Sequence, residues 1–382
     1  MLRVCGLDMH KDSIFVCIME ESGVLFQEKF GVLTTDLTRL LGVMTSYEVS
    51  EVGMESTSIY WMPIWRILEP YVPLKLVNPF FIKQLPGKKS DIKDAEWIAT
   101  CLLKGLVKGS YVPEDIIQRL RQYDRRIHDL NKECVRKEAK LDAALQRCNI
   151  RLSNYITDTG GKAYLKVVAS IADGITDPDL LVKFVHPRTI NKHGREVLRA
   201  SLDGFITDVD IDVIRQLGQE IDLARKHIEE CQQKMTALCR EYYPAQFDNL
   251  QTIPGVRERS ATAIIAELGT DMSSFETAGN LVAWAGLKPR NEESAGKIKA
   301  RKITHGNKYI RQTLIECAWA ASRTHGCFYN TFSYTQCIVR HKNKMKVQVA
   351  IARKLLVACW YILHDNVRYK DYSQQEKNEQ DA

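Results

Sequence analysis

The stretch that decides the fold lies at residues 88–97 and reads KKSDIKDAEW. Asp91 and Asp94 stand three residues apart at the start of a predicted helix, so both project from one face, a short reach from each other. Ser90 is placed to cap that helix, and carboxylates in its first turn match the positive end of the helix dipole. By itself this pattern is typical of a capped helix with solvated charges.

Two more acids elsewhere in the chain suggest that this stretch is part of a functional site rather than only a capped helix. Asp8 directly follows the first predicted strand, and Glu55 stands at the end of a later one. Four carboxylates close together cannot all stay ionised cheaply, so their proximity calls for divalent cations. A site made only of Asp and Glu oxygens suits Mg²⁺. The sequence therefore predicts a cation site at Asp8, Glu55, Asp91 and Asp94.

The order of elements around these acids predicts an α/β domain of the RNase H-like class. Three β-rich runs open the chain as a meander and are followed by alternating helices and strands, up to the helix that begins near Asp91. In this architecture catalytic acids sit on the first strand, at the end of the fourth and on a late helix. The predicted strands cover residues 2–7, 13–19, 24–30, 49–54 and 72–77, and the predicted helices 35–45 and 59–68.

Length and composition set broad limits. The 382 residues exceed one ordinary core, so two or three domains are expected, and 45% hydrophobic with 26% charged residues is typical of globular protein. We expect a cytoplasmic protein with no membrane partner, because no run of about 18 apolar residues and no signal pattern occurs. Eleven scattered cysteines without a C-x-x-C pair support neither a zinc ribbon nor a disulfide framework.

The middle of the chain predicts long helices. Apolar residues recur at spacings of three and four in residues 114–149 and again in 214–238. Two such seams predict an antiparallel coiled-coil pair or two arms that meet a partner protomer, with ordinary amphipathic core helices as the alternative. Residues 151–210 are expected to form a small irregular insertion between them.

The C-terminal third indicates contact with nucleic acid. Residues 250–257 (LQTIPGVR) match a helix-hairpin-helix pattern, in which Pro254 and Gly255 present backbone N–H groups to a DNA phosphate; a proline-started helix is the alternative. Residues 286–311 hold eight basic and two acidic residues, nearly the whole net charge of +7. A helix with a basic first half is predicted next, over residues 338–365. A polar, disordered tail is predicted over 369–382.

Ser294 lies inside this basic strip, beside Ala295, Gly296 and Lys297. Its hydroxyl is a candidate nucleophile among phosphate-binding cations, although most such serines are solvated hydrogen-bonding groups and no His or Asp base is obvious nearby.

Taken together, these stretches resemble the IS110 family of insertion-sequence transposases, DEDD-type recombinases that include the pilin-gene invertases. Seven short motifs occur in family order over nearly the whole chain. They begin at Gly6 (GLDMHK), Gly53 (GMEST), Asp91 (DIKDA), Ile253 (IPGV), Gly286 (GLKPR), Ser294 (SAGK) and Gly306 (GNKYIR). Ala295 departs from the glycine that usually follows the serine.

The resemblance implies a RuvC-like DEDD metal-binding domain over 1–112, whose catalytic acids are Asp8, Glu55, Asp91 and Asp94 with Mg²⁺ (or Mn²⁺). It implies a coiled-coil middle region over 113–245, a serine-bearing transposase domain over 246–368 with Ser294 as the catalytic serine, and oligomers, dimeric or tetrameric, on DNA. A structured guide RNA from the element's own end is also implied. Nucleic-acid-binding residues are expected at Pro254, Gly255, Lys288, Arg290, Lys297, Arg301, Lys308 and Arg311.

Three functions stay open at this point. The first is a metal-dependent serine recombinase that mobilises an insertion sequence. The second is an RNase H-like junction-resolving nuclease without serine chemistry, and the third is a non-catalytic nucleic-acid-binding protein. His10 is expected to be structural or a phosphate contact rather than a metal ligand, because no other nitrogen ligand lies nearby in the sequence.

Overall fold

The computed structural model describes residues 2–56, 58–78, 91–107, 109–156, 158–289, 292–294, 297–300 and 303–371, with side chains except at 91–93, 292–294 and 297–300. The chain divides into two compact units. Unit 1 is Met1–Pro113 and unit 2 is Glu114–Ala382.

Unit 1 is built on one five-stranded sheet. Its strands are β1 (Val4–Met9), β2 (Ile14–Glu20), β3 (Gly23–Phe30), β4 (Glu51–Glu55) and β5 (Leu74–Val77), in the order β3-β2-β1-β4-β5. The meander strands pair antiparallel, whereas β1–β4 and β4–β5 are parallel. This is the strand order of the RNase H-like fold, so the predicted α/β fold of the N-terminal domain is confirmed.

Helices cover both faces of this sheet. Helices α1 (Thr34–Ser46) and α2 (Trp61–Leu68) pack on the face that carries Leu7 and Met54. Helix α3 (Asp91–Leu103) packs on the opposite face, where Val4 lies. Since β1 is covered on both sides, all six of its residues are buried and its sequence is mostly apolar rather than alternating.

Two long helices form the stem of unit 2. They are α4 (Asp115–Arg147) and α9 (Asp208–Tyr242). Ile117 at the start of α4 shares a core with Cys239 at the end of α9, whereas Leu145 shares one with Ile214. The two predicted seams therefore face each other in an antiparallel pair within one chain.

The segment between these helices is helical rather than irregular. It contains α5 (Lys162–Ala172), α6 (Pro178–Leu181), α7 (Pro187–His193) and α8 (Arg195–Ala200). Ile171 and Leu198 are fully buried against the far end of the stem, so this segment forms a small cap there. Sequence reasoning missed these elements because most are short, and each begins at a proline or directly after a glycine.

The rest of unit 2 packs around the near end of the stem. Its elements are α10 (Pro244–Leu250), α11 (Glu258–Leu268), α12 (Ala278–Trp284), the strands β6 (Glu292–Ser294) and β7 (Lys297–Ala300), α13 (Lys308–Ala321), α14 (Phe328–Tyr334) and α15 (Lys344–Asp365). Ile264, Leu314 and Leu355 are fully buried in their common core.

Two predictions at the C-terminal end need correction. Helix α15 begins at Lys344, not near residue 338, because Asn343 accepts hydrogen bonds from the N–H groups of Met345 and Lys346 as an N-cap and His341 has a φ of 49°. Residues 369–371 are held in place, since Asp371 accepts a hydrogen bond from Phe328 N at 2.8 Å. Residues 372–382 of the predicted tail lie outside the described part of the chain.

Within the described residues, only helix Lys344–Asp365 is long and apolar enough to cross a membrane. Just over half (56%) of its apolar window is buried inside the structure, as in a core helix.

Candidate metal centre and serine-bearing hairpin

Two glycines fix how α3 lies on the sheet. A Cβ atom on Gly6 of β1 would stand 2.1 Å from Ala95 O and 2.6 Å from Ala99 N. One on Gly53 of β4 would meet Leu102 Cδ1 at 2.6 Å. The helix backbone therefore touches the strand itself, and only glycine permits this approach.

Side-chain contacts give the direction of α3. Gln27 Nε2 donates to Glu96 Oε2 at 3.3 Å, and Thr100 Oγ1 donates to Met19 Sδ at 3.5 Å. Gln27 lies level with the middle of β1 and Met19 lies level with its start. Helix α3 consequently runs antiparallel to β1, and its first residue, Asp91, comes one turn before Ala95 toward the end of β1.

Asp8 and Glu55 stand at that same end. Each follows a packing glycine by two residues, so each faces α3 as the glycine does. The parallel register pairs Leu7 with Met54, which makes Asp8 and Glu55 the next positions on strands about 4.8 Å apart. Asp8 is 7% exposed, and Glu55 and Asp94 are half-buried.

His10 has a local role beside Asp8. Its Nε2 lies 3.2 Å from Asp8 Oδ2, and its ring stands edge-on to Phe15 with the centroids 5.7 Å apart. The imidazole thus packs on β2 while it contacts the acid.

The donor set fits a hard divalent cation, because every predicted ligand is a carboxylate at one end of β1, β4 and α3. Among the side chains that the structure describes, no group of three or more His, Cys, Asp or Glu residues could hold a metal ion. The side chain of Asp91 lies outside those residues, so the complete four-acid set stays a prediction.

In unit 2 the predicted nucleophile lies on a β-hairpin. Strands β6 and β7 pair antiparallel, with Ser294 opposite Lys297. Only residues 295 and 296 separate the two, and their structure lies outside the described part. The sequence analysis predicted no strands here and so missed the hairpin.

At the base of this hairpin the two chain segments cross in close contact at Gly286 and Gly306. A Cβ on Gly306 would lie 2.2 Å from Gly286 N, and one on Gly286 would lie 2.8 Å from Gly306 N. Thr304 N donates to Lys288 O at 3.0 Å, which joins the two chain segments just above the crossing.

The predicted phosphate-binding residues are only partly described. Lys288 and Lys308 are exposed, and Arg311 is half-buried. The side chains of Arg290, Lys297 and Arg301 lie outside the described residues.

The Pro-Gly turn joins α10 to α11. Ile253 and Val256 are 1% exposed, whereas Pro254 is half-buried. Gly255 has a φ of +86°, and a Cβ there would lie 2.5 Å from Cys317 O on α13. The turn is therefore packed against α13, and its assignment as a helix-hairpin-helix stays a prediction.

A cleft of about 560 Å³ opens beside this turn, among α4, α9, α11 and α13. It contains Asp124, an acid that sequence reasoning missed. Burial, with the nearby Glu267 carboxylate adding to it, raises the pKa of Asp124 to about 7, although Arg125 and Arg259 oppose the shift. The helical spacing around Asp124 gave no signal of this burial.

Glu267 is the second missed residue. It is 1% exposed near the end of α11, and its Oε2 accepts a hydrogen bond from Asn307 Nδ2 at 2.5 Å. A signal was present, because Glu267 is the only acid in the apolar run ATAIIAEL at residues 261–268.

Two family models match the chain. The model for DEDD-type IS110 transposases matches residues 5–150, and the model for the transposase IS116/IS110/IS902 family matches residues 247–333. The first match contains the acids of unit 1 and the second contains the Pro-Gly turn and Ser294. The chain belongs to the IS110 family of transposases.

Similar proteins agree with this assignment. A probable family 20 transposase of Pseudomonas aeruginosa is 27% identical over 333 residues, 84% of this chain and 85% of that protein. A pilin gene-inverting protein of Moraxella bovis is 29% identical over 31% of this chain and 36% of its own length. An insertion element IS110 protein of Streptomyces coelicolor is 27% identical over 32% of this chain and 29% of its own length.

A solved structure of T. thermophilus RuvC in complex with a Holliday junction substrate covers 29% of this chain and 100% of that one. The sequence identity is 15% and the TM-score 0.24. The fold assignment therefore rests on the sheet order of unit 1. As an IS110-family transposase with a DEDD domain, the protein acts on DNA.

Proposed function

We propose that this IS110 transposase cuts and rejoins DNA strands with Ser294 as nucleophile and a divalent cation, Mg²⁺ or Mn²⁺, held by the acids of unit 1. The observation that carries the proposal is the convergence of Asp8, Glu55 and the start of α3 at one end of the sheet. A divalent cation bound there would neutralise charge on a phosphodiester and polarise it.

The positions of the described acids in unit 1 support this role. Asp8 is buried, and Asp8 and Glu55 both face helix α3. Ionised carboxylates placed in this way repel one another unless a cation is bound. Asp94 and Asp91 complete the ligand set in the proposal.

The serine step conserves the energy of the phosphodiester. The Ser294 hydroxyl gives up its proton as Oγ bonds to phosphorus, one P–O bond to a deoxyribose breaks, and the leaving oxygen takes up a proton. A hydroxyl of the new strand then attacks the phosphoserine, so that Oγ leaves and regains a proton. Lys297, Arg301 and Arg311 stabilise the charge that develops on the phosphate.

Partners follow from the same proposal. DNA phosphates are bound by the Pro254–Gly255 turn and the basic residues at positions 288–311. A structured guide RNA and assembly as a dimer or tetramer on DNA are proposed from the family resemblance, with the protein in the cytoplasm at the nucleoid.

Trapping on DNA tests the proposal. The full chain is incubated with element-end DNA and Mg²⁺, with and without RNA transcribed from the element end, and quenched with denaturant. We expect a protein–DNA adduct that survives denaturation, carries its phosphate on Ser294 and disappears in Ser294→Ala. Free cut ends made at the wild-type rate by Ser294→Ala would overturn the serine step and favour a junction-resolving nuclease.

A further inference from the structure

The hairpin that carries Ser294 is held at its base by Asn307. This residue follows Gly306 at the glycine crossing and caps α13, where its Oδ1 accepts hydrogen bonds from Tyr309 N at 2.9 Å and Ile310 N at 3.2 Å. Its own backbone N donates to Trp284 O at 3.2 Å, on the other segment of the crossing. One residue therefore joins the end of the hairpin to its beginning and to a rigid helix.

Glu267 fixes the orientation of the Asn307 side chain. With Oδ1 used as the cap, Nδ2 is left as donor, and Glu267 Oε2 accepts from it. The contact selects the amide orientation that the cap requires.

The surroundings of Glu267 keep it in place. Arg121 donates to the backbone oxygens of Ala266 and Glu267 at 2.9 and 2.8 Å, which ties the end of α11 to α4. Arg125 Nε lies 3.5 Å from Glu267 Oε1, an ion pair too long for a hydrogen bond. A carboxylate that is 1% exposed is costly to bury, so a position needed only for packing would be better filled by an apolar side chain.

We propose that Glu267 is a positioning residue for strand exchange: through Asn307 it locks the base of the hairpin and so holds Ser294 at the phosphate. This inference rests on the proposed serine chemistry. Attack on phosphorus needs the hydroxyl within a fraction of an ångström of its reactive position. Movement at the base of the hairpin would therefore displace Ser294 from that position.

Exchanging the acid and the amide between positions 267 and 307 tests the inference. Asn307→Asp leaves two carboxylates face to face, although Asp is itself a good N-cap. Glu267→Gln keeps an acceptor for Asn307 Nδ2 through its amide oxygen. In the double variant the glutamine amide donates to the aspartate, so the contact returns with its polarity reversed. Glu267→Leu removes it altogether.

The rate of adduct formation at Ser294 and the Kd for DNA are measured for the full chain. We expect Asn307→Asp and Glu267→Leu to slow adduct formation by about tenfold or more with less than about threefold change in Kd. Glu267→Gln and the double variant should stay within about threefold of wild type in both quantities. A double variant no faster than Asn307→Asp, or single variants as fast as wild type, would overturn the inference.

Amide hydrogen exchange separates this inference from the serine proposal. Asn307→Asp and Glu267→Leu should speed exchange in the peptide that spans residues 304–309, and the double variant should restore it, while peptides of α11 stay protected in all of them. Unchanged exchange at residues 304–309 refutes the lock whatever the chemistry. If the wild type forms no adduct, the serine step is refuted, and hydrogen exchange alone then decides whether Glu267 locks the base of the hairpin.

Discussion

The two units place the proposed site residues by opposite means. In unit 1 they lie on the regular elements themselves, at the ends of β1, β4 and α3, and two glycines set the spacing. In unit 2 the serine lies on a short hairpin, and among the described residues the crossing at Gly286 and Gly306 and the Glu267–Asn307 contact connect the base of that hairpin to the helical core.

This difference matches the chemistry proposed for each unit. Ligands of a cation must converge to within a few ångströms at fixed angles, which suits rigid strands and helices. A nucleophile that joins one strand and then another must reach DNA, which suits a short hairpin held at its base. Variants that act on one unit and spare the other therefore test the comparison.

The largest effect is expected at Asp8. Asp8→Asn keeps the shape of the side chain but removes a metal ligand, so strand exchange should fall more than about a hundredfold, beyond the loss typical of residues that only support ligands. Thermal unfolding with and without MgCl₂ checks the cause. The cation should raise the Tm of the wild type and not that of Asp8→Asn, because the variant has lost the site. Equal Mg²⁺ stabilisation in both proteins would remove Asp8 from the site.

The packing glycine of β1 gives the next largest effect. Gly6→Ala places a Cβ within 2.1 Å of Ala95 O, so α3 must shift, and the free energy of unfolding of unit 1 should fall by about 3 kcal/mol. Hydrogen exchange in peptides of unit 1 along a urea series measures it.

Gly42→Ala is the matched control for this substitution. Gly42 is exposed on α1, and nothing lies within 4 Å of a Cβ there. This variant should gain up to about 1 kcal/mol because alanine favours the helix. Similar losses in both variants would show that the approach of α3 to β1 is not tight.

Prediction from the sequence succeeded for features that a local pattern of residues determines, and it failed for contacts between residues that are distant in the sequence. Asp8 and Glu55 were placed near strand ends, where the structure has them, because strand ends are visible as breaks in apolar runs; their role in a metal site stays a prediction. Glu267 and Asn307 lie 40 positions apart, and nothing in the spacing of either residue indicates that they meet. The hairpin was missed because β6 and β7 are three and four residues long, too short for a periodic signal.

A smaller effect is expected from Asp124 of unit 2. A carboxyl whose folded-state pKa is raised to about 7 from 3.8 binds its proton more tightly in the folded protein than in the unfolded chain. The free energy of unfolding should therefore fall as pH rises between those values, by up to about 1.4 kcal/mol per pH unit.

Asp124→Asn should remove this part of the slope and make unit 2 more stable than wild type above pH 7. Asn131→Ala, in the same cleft but not titratable, should keep the wild-type slope. Urea denaturation at pH 5 and pH 8 measures both. The same slope in wild type and Asp124→Asn would show that Asp124 is not buried in solution.

The smallest effect concerns Lys308, an exposed residue at the start of α13. Loss of one phosphate contact lowers the salt dependence of DNA binding, so Lys308→Gln should reduce the slope of log K against log salt by about 0.9. Lys183→Gln, exposed on the helical cap of the stem, is the control and should leave the slope unchanged. Fluorescence anisotropy over a salt series distinguishes the two.

The central claim is that unit 2 supplies the nucleophile and unit 1 only the acids that hold a cation. Strand exchange in H₂¹⁸O tests it directly, because mass spectrometry of the product DNA shows whether water oxygen has entered the phosphate at the junction. The serine route predicts no ¹⁸O in rejoined strands and none in the phosphoserine adduct. One ¹⁸O per cut phosphate would show that water, and not Ser294, attacks the phosphorus.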